Sequence, residues 1–187
     1  MGVPWLEVWD DDRVESQNVP SQVYRPSDVG RLKVEALKDY AEREELDTKI
    51  IPHAEAVTET TKLRGIVVSC VDSMASRKAI WGAVHFKSRI PIYFDGRVGE
   101  DQVNLYMVRP SDPVNFDEYV KCDLYDDNDV PDLPCGQESG VHTAFKLAAY
   151  VAHMLALHQQ GKLPKSSIRD ALREFQVRTS PVLTSER

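Results

Sequence analysis

The sequence is poor in cysteine, in long apolar runs and in positive charge, and each shortage removes a class of function. Its three cysteines, Cys70, Cys122 and Cys135, are too few for a disulfide framework and too widely spaced for a zinc site of Cys-x-x-Cys pairs, so they read as reduced thiols and no zinc is expected. Twenty-three basic side chains against thirty acidic ones leave a formal charge of −7. That balance does not supply the broad basic face that holds a phosphate backbone, and no nucleic-acid partner is expected. The longest mostly apolar stretch, 144–157, is broken by Lys146 and His153 and falls short of the roughly 20 residues that span a bilayer. Met1-Gly2-Val3-Pro4-Trp5 carries no basic segment with a cleavable apolar run. No membrane partner is therefore expected, and the cytoplasm is the expected location. What remains, with 42% hydrophobic and 28% charged residues in 187, has the composition of one globular domain with a core.

Strand-like and helix-like segments alternate. Trp5 to Trp9 is a short β-rich run stopping on three aspartates, and Gly30 to Leu46 reads as an amphipathic helix with Leu32, Leu37, Tyr40 and Ala41 inward and Asp28 as its cap. Thr48 to Ile51 is a second strand. Gly65 to Val71, centred on Ile66-Val67-Val68, has the continuous apolar character of a parallel strand buried on both faces. Ser73 to Val84 predicts a helix with Ala75, Ala79, Ile80 and Ala83 on one stripe. Arg89 to Phe94 predicts a strand and Asp95-Gly96 a turn, after which Gln102 to Arg109 alternates with a period of two. Pro110 to Pro134 reads as an irregular crossing. Ser139 to Gln160 predicts a long, mostly buried helix ending at Gly161, and Ser166 to Phe175 a last amphipathic one. The expected fold class is α/β: a Rossmann-like, mostly parallel sheet with helices on both faces and an antiparallel extension after residue 89.

In such sheets ligands bind beyond the carboxyl ends of the strands, which directs attention to Asp10 after the first strand and Asp72 after the third. A carboxylate at the first kind of position accepts the hydroxyls of a ribose, and one at the second holds Mg²⁺ beside phosphates. The plainer reading makes Asp10, Asp11 and Asp12 a solvated turn and leaves Asp72 or Ser73 to cap a helix.

The surrounding string tilts this balance. Trp9-Asp10-Asp11-Asp12 runs on to Asn18-Val19-Pro20-Ser21-Gln22, then to Asp28-Val29-Gly30-Arg31-Leu32-Lys33. Cys70-Val71-Asp72-Ser73 with Arg77 follows, and Pro134-Cys135-Gly136-Gln137 leads into the long apolar helix. From about Val3 to about His158 the pattern resembles the ThiF/MoeB-type adenylyltransferases, relatives of ubiquitin-activating enzymes. The resemblance implies that Asp10 binds the ATP ribose, with Asp12 and Gln22 beside it. It implies that Asn18 and Lys33 hold phosphates, that Arg77 supports them, and that Asp72 carries Mg²⁺ near the scissile αβ bond. Cys135 would be the nucleophile that takes the adenylated tail as a thioester. The implied cofactors are ATP and Mg²⁺, and the implied partner is a ubiquitin-like or sulfur-carrier protein whose carboxyl-terminal glycine is adenylylated, with the chain pairing as a homodimer through the 139–160 helix and the 102–109 strand.

The departures define the alternative. The family's first strand and glycine-rich loop, which would precede Met1, are not in these residues, so the expected domain, residues 1–176, is N-terminally incomplete and 177–187 form a tail. Ser21 stands where the family carries an arginine, and Asp72-Ser73 replaces aspartate-asparagine. A non-catalytic scaffold or pseudo-enzyme subunit that binds a protein partner is the competing expectation. A dinucleotide-dependent oxidoreductase shares the Asp10 logic but explains neither Asn18 nor Lys33. Cys70 is expected in the core, and Arg77, one turn past Asp72, is placed by spacing to reach either a phosphate or the Asp72 carboxylate.

Overall fold

The computed structural model describes residues 3–98, 103–125 and 141–163. Strand β1 (Trp5–Trp9) pairs in parallel with β2 (Lys49–His53), joined by helix α1 (Lys33–Arg43), which packs on β2. Strand β3 (Val67–Ser69) pairs in parallel with β4 (Tyr93–Val98) across helix α2 (Met74–Val84). Antiparallel β5 (Val103–Val108) follows on the far edge of β4. The mixed α/β class and the antiparallel addition match the expectation, but the hydrogen-bonded strands form two sets, β1-β2 and β3-β4-β5, rather than one ladder.

The two sets share apolar neighbours. Trp9 of β1 and Val67 of β3 pack against a single core of Leu63, Ile80, Trp81, Val84, Ile90, Tyr93, Val108 and Tyr119. A second core joins Ile92, Phe94, Leu105 and Met107 to Leu147 and Met154 of helix α4 (Val141–Gln159). Each core takes alternate residues of β4, as the period of two in a strand demands.

Several boundaries differ from the sequence reading for local reasons. The Asp95-Gly96 pair is not a turn but the middle of β4, because Asp95 is neutralised in the interior and Gly96 lets α4 approach. A Cβ on Gly96 would lie 2.8 Å from Leu147. The supposed irregular crossing contains helix α3 (Pro113–Cys122), started by Asp112, whose side chain accepts the Val114 amide, and by Pro113 at the first turn. Asp28 does not cap α1: it lies in a short 3-10 turn and accepts the Arg25 amide. Strand β3 is shorter than 65–71 and leaves Val68 exposed, so it is not buried on both faces. Nor is α4 mostly buried, since Phe145 is 72% exposed and only Thr143, Leu147 and Met154 are enclosed. The helix expected at 166–175, the 177–187 tail, and Cys135 with its flanking residues lie outside the described residues.

Candidate functional site

Two groups of charged side chains stand at strand ends. The first follows β1. There the chain leaves the sheet at Asp10, whose amide donates to the His53 carbonyl, and turns under an Asp10 carboxylate that accepts the Asp12 amide at 2.8 Å. It then runs against the segment before α1: Val14 N donates to Arg31 O, and Gly30 N to Val14 O, with Gly30 at φ +88°, a conformation glycine adopts freely. This pairing brings Lys33 back to Asp12, through both the backbone (Lys33 N to Asp12 O, 2.9 Å) and the side chains (Nζ to Asp12 Oδ2, 2.7 Å).

Burial works against the charge on Lys33, but the Asp12 hydrogen bond and the nearby charges of Asp10, Asp12 and Glu15 outweigh it and raise its pKa. The carboxylates of Asp10, Asp11 and Asp12 lie within 4.8 Å of one another. In the same loop Asn18 spends its Oδ1 on the Glu15 amide, and the Gln22 amide donates to Asn18 O. Ser21 Oγ reaches only the Gln17 and Asn18 carbonyls, at 3.5 Å. Tyr24, which sequence reasoning missed, joins this group. Burial first, then the charges of Asp10 and Asp28, push its phenol up to about 12. Beneath the group, Trp9 and His53 stack with ring centroids 3.8 Å apart, as the β1–β2 register places them side by side.

The second group follows β3. Asp72 is exposed, and no hydrogen bond or ion pair holds its carboxylate among the described residues. Ser73 caps α2, its Oγ accepting the Ser76 amide at 3.1 Å. Arg77 reaches neither Asp72 nor solvent: it is 5% exposed and donates from Nε to Asp95 at 3.1 Å. Asp95 is completely buried and also accepts from Ser69 Oγ, the Tyr119 hydroxyl and Arg97. Cys70 is exposed rather than in the core. Desolvation, then the Asp95 charge, holds its thiol above the ordinary range, with Arg77 opposing.

The structure therefore joins Asp10, Asp12 and Lys33 through one bonded loop with Asn18 and Gln22 on it, and it sets Asp72 on a separate loop after β3 and Arg77 in helix α2. Hard carboxylate oxygens at exposed Asp72, Asp11 and Asp12 and at half-buried Asp10 are the donor type Mg²⁺ takes. Asp95 and Arg97 were invisible to sequence reasoning because their partners lie 18 or more residues away or in the misread turn.

The ThiF family model matches residues 1–179, and the chain belongs to the ThiF family. No curated protein matches it in sequence. Among solved structures, E. coli MccB with ATP is similar at 17% identity and a TM-score of 0.61, over 89% of this chain and 52% of that one. PaaA is similar at 18% identity and a TM-score of 0.58, over 88% and 50%. E. coli MccB with AMPCPP and MccA is similar at 16% identity and a TM-score of 0.51, over 84% and 49%. The chain thus spans about half the length of the solved structures it matches, and at these identities they show the fold.

Proposed function

We propose that this ThiF-family chain takes part in the ATP-dependent adenylylation of the carboxyl terminus of a polypeptide, a ubiquitin-like or sulfur-carrier protein being the specific substrate. The observation that carries the reading is the Asp10–Asp12–Lys33 loop: Asp12 links the Asp10 carboxylate, suited to a ribose, to the Lys33 ammonium, suited to a phosphate, at the end of one parallel strand. MccB, whose solved structures include one with ATP and one with AMPCPP and MccA, is consistent with a nucleotide and a polypeptide as the two substrates.

In this reading Asp10 receives the ribose hydroxyls, with Gln22 and the Tyr24 phenol at its flank. Asn18 and Lys33 bind phosphate oxygens, and Lys33 exchanges its exposed Asp12 partner for them. Arg77 supports the phosphate side from within, through the start of α2. Asp72 supplies the carboxylate for Mg²⁺, which when bound neutralises charge on the pyrophosphate leaving group. An oxygen of the substrate carboxylate attacks the α-phosphorus, the bond from that phosphorus to the bridging oxygen breaks, and pyrophosphate departs with the electron pair. No protein base is needed, because a carboxylate is already ionised at neutral pH.

Cys135 then accepts the acyl group as a thioester, releasing AMP. The outward face of α4, with Val141, Ala144, Phe145, Ala148 and Ala149, supplies apolar surface for a homodimer. The cytoplasm is the proposed location, and among the described residues no helix is long and apolar enough to cross a membrane.

ATP–pyrophosphate exchange with a panel of small carrier proteins tests the reading: exchange is expected, and Asp72→Ala is expected to reduce it at least about 100-fold, as loss of a transition-state charge contact does. Ser21, standing where the family carries an arginine, favours a second reading as a non-catalytic scaffold. Absence of nucleotide binding in calorimetry, with a carrier protein still bound, would decide for that reading.

A further inference from the structure

Apart from Arg77, the buried polar cluster between β3 and β4 belongs to none of the motifs read from the sequence, and it converges on one carboxylate. Asp95 accepts hydrogen bonds from Ser69 Oγ (3.2 Å), the Tyr119 hydroxyl (3.0 Å), Arg77 Nε (3.1 Å) and Arg97 Nε (2.8 Å) with none of its side chain exposed. Two guanidiniums thus share a single anion, and they point in different directions. Arg97 turns toward the end of α3, donating to the Asp123 carbonyl at 2.8 Å and lying over the Tyr106 ring at 4.5 Å. Arg77 turns toward the start of α2. Besides Asp95 it donates to the Ser73 carbonyl at 3.3 Å and to the Gly96 carbonyl at 3.4 Å.

Ser73 is the N-cap of α2 and directly follows Asp72. Since the Asp72 carboxylate has no partner of its own among the described residues, its direction depends on whatever fixes the backbone at 72–73. Beside the helical bond from the Arg77 amide to the Ser73 carbonyl (3.2 Å) and the Ser73 cap, the inner side-chain tie on that backbone is the Arg77 guanidinium, and the tie on the guanidinium is Asp95. A planar guanidinium spans a carboxylate and a carbonyl in one fixed geometry, which a lysine ammonium does not.

We infer that Asp95 is a positioning residue for Asp72, acting through Arg77 and the Ser73 carbonyl, so that a divalent cation bound with nucleotide meets a pre-aimed carboxylate. The inference rests on the proposed function, in which Asp72 is the metal ligand. Partners that orient metal ligands from behind commonly set about 10–100-fold of metal affinity, and that is the effect expected here.

The test uses the full chain, ATP, and Mn²⁺ as a paramagnetic stand-in for Mg²⁺. Arg77→Lys keeps a cation against Asp95 and the helical bond from the residue-77 amide to the Ser73 carbonyl (3.2 Å), but gives up the side-chain bond to that carbonyl. It is expected to weaken Mn²⁺ binding in the ATP complex about 10–100-fold by electron paramagnetic resonance, and to speed amide hydrogen exchange at residues 72–76 without ligand. Asp95→Asn is expected to change both in the same direction. Arg97→Gln removes the other guanidinium and is expected to leave both unchanged, even if the melting temperature falls. A folded Arg77→Lys variant with wild-type Mn²⁺ affinity overturns the positioning role, as does an equal loss in Arg97→Gln. Failure of the wild-type chain to bind Mn²⁺·ATP overturns the proposed function and, with it, this role of Asp95.

Discussion

The loop after β1 and the cluster between β3 and β4 use the same chemistry under opposite conditions. Lys33 meets Asp12 at 2.7 Å and Arg97 meets Asp95 at 2.7 Å, yet the Asp12 side chain is 67% exposed and that of Asp95 not at all. A pair open to water on its anionic side, with Lys33 itself 17% exposed, feels a higher dielectric and exchanges partners at less cost, whereas a wholly buried one is committed, because removing either member strands a charge in the interior. The first region is therefore suited to greet a polyanionic ligand. The second is suited to hold strands and helix starts in place while that happens.

Breaking the buried side of the comparison should cost most. Asp95→Ala leaves Arg77 and Arg97 without their shared anion, and a loss of about 3–5 kcal/mol is expected in urea unfolding. A loss below about 1 kcal/mol would show that water reaches the cluster and that the contrast is false.

An intermediate case sharpens the comparison through pH. Asp28 is 6% exposed, and the Arg25 amide hydrogen bond, with help from Arg31 against desolvation, holds its carboxyl below its ordinary value of 3.8. A depressed folded value means that its stabilisation is present above about that pH and is lost as pH falls through the folded value. Unfolding followed from pH 5 to pH 2 should therefore lose less stability in Asp28→Asn than in the parent chain, and equal slopes would remove Asp28 from the buried class.

Breaking the exposed side should cost least. Asp12→Ala is expected to change stability by about 0–1 kcal/mol while leaving Lys33 free for phosphate. Thermal melts with and without ATP would check both halves, and a large loss without ligand would make the loop a structural element like the other.

Much of the frame was legible in the sequence. The spacing of Asp10, Asn18 and Lys33, and of Asp72 and Arg77, pointed to the ThiF family that the family model matches over residues 1–179. The bounds of β1, α2 and α4 were close to those observed, because period and caps are local signals. Helix α3 could have been read from Asp112-Pro113, a cap followed by proline at the first helical turn, had the acidic residues after it not suggested a loop.

Asp95-Gly96 misled for a deeper reason. In isolation the pair has turn chemistry, and nothing near it in the chain announces that Arg77, Ser69 and Tyr119 will surround the aspartate or that Leu147 needs the space over the glycine. The direction of Arg77 was open for the same reason: from helical spacing alone it was equally placed for a phosphate or for Asp72.

By itself the sequence determined which charges exist, the order of the elements that carry them, and the motif spacing that identifies the family, since all three depend on neighbours along the chain. Only the tertiary structure decided which of those charges keep their water. The strength of an ionic contact depends on the dielectric around it, and that is set by segments far apart in sequence, here β3, β4, α2 and α3 closing over one aspartate.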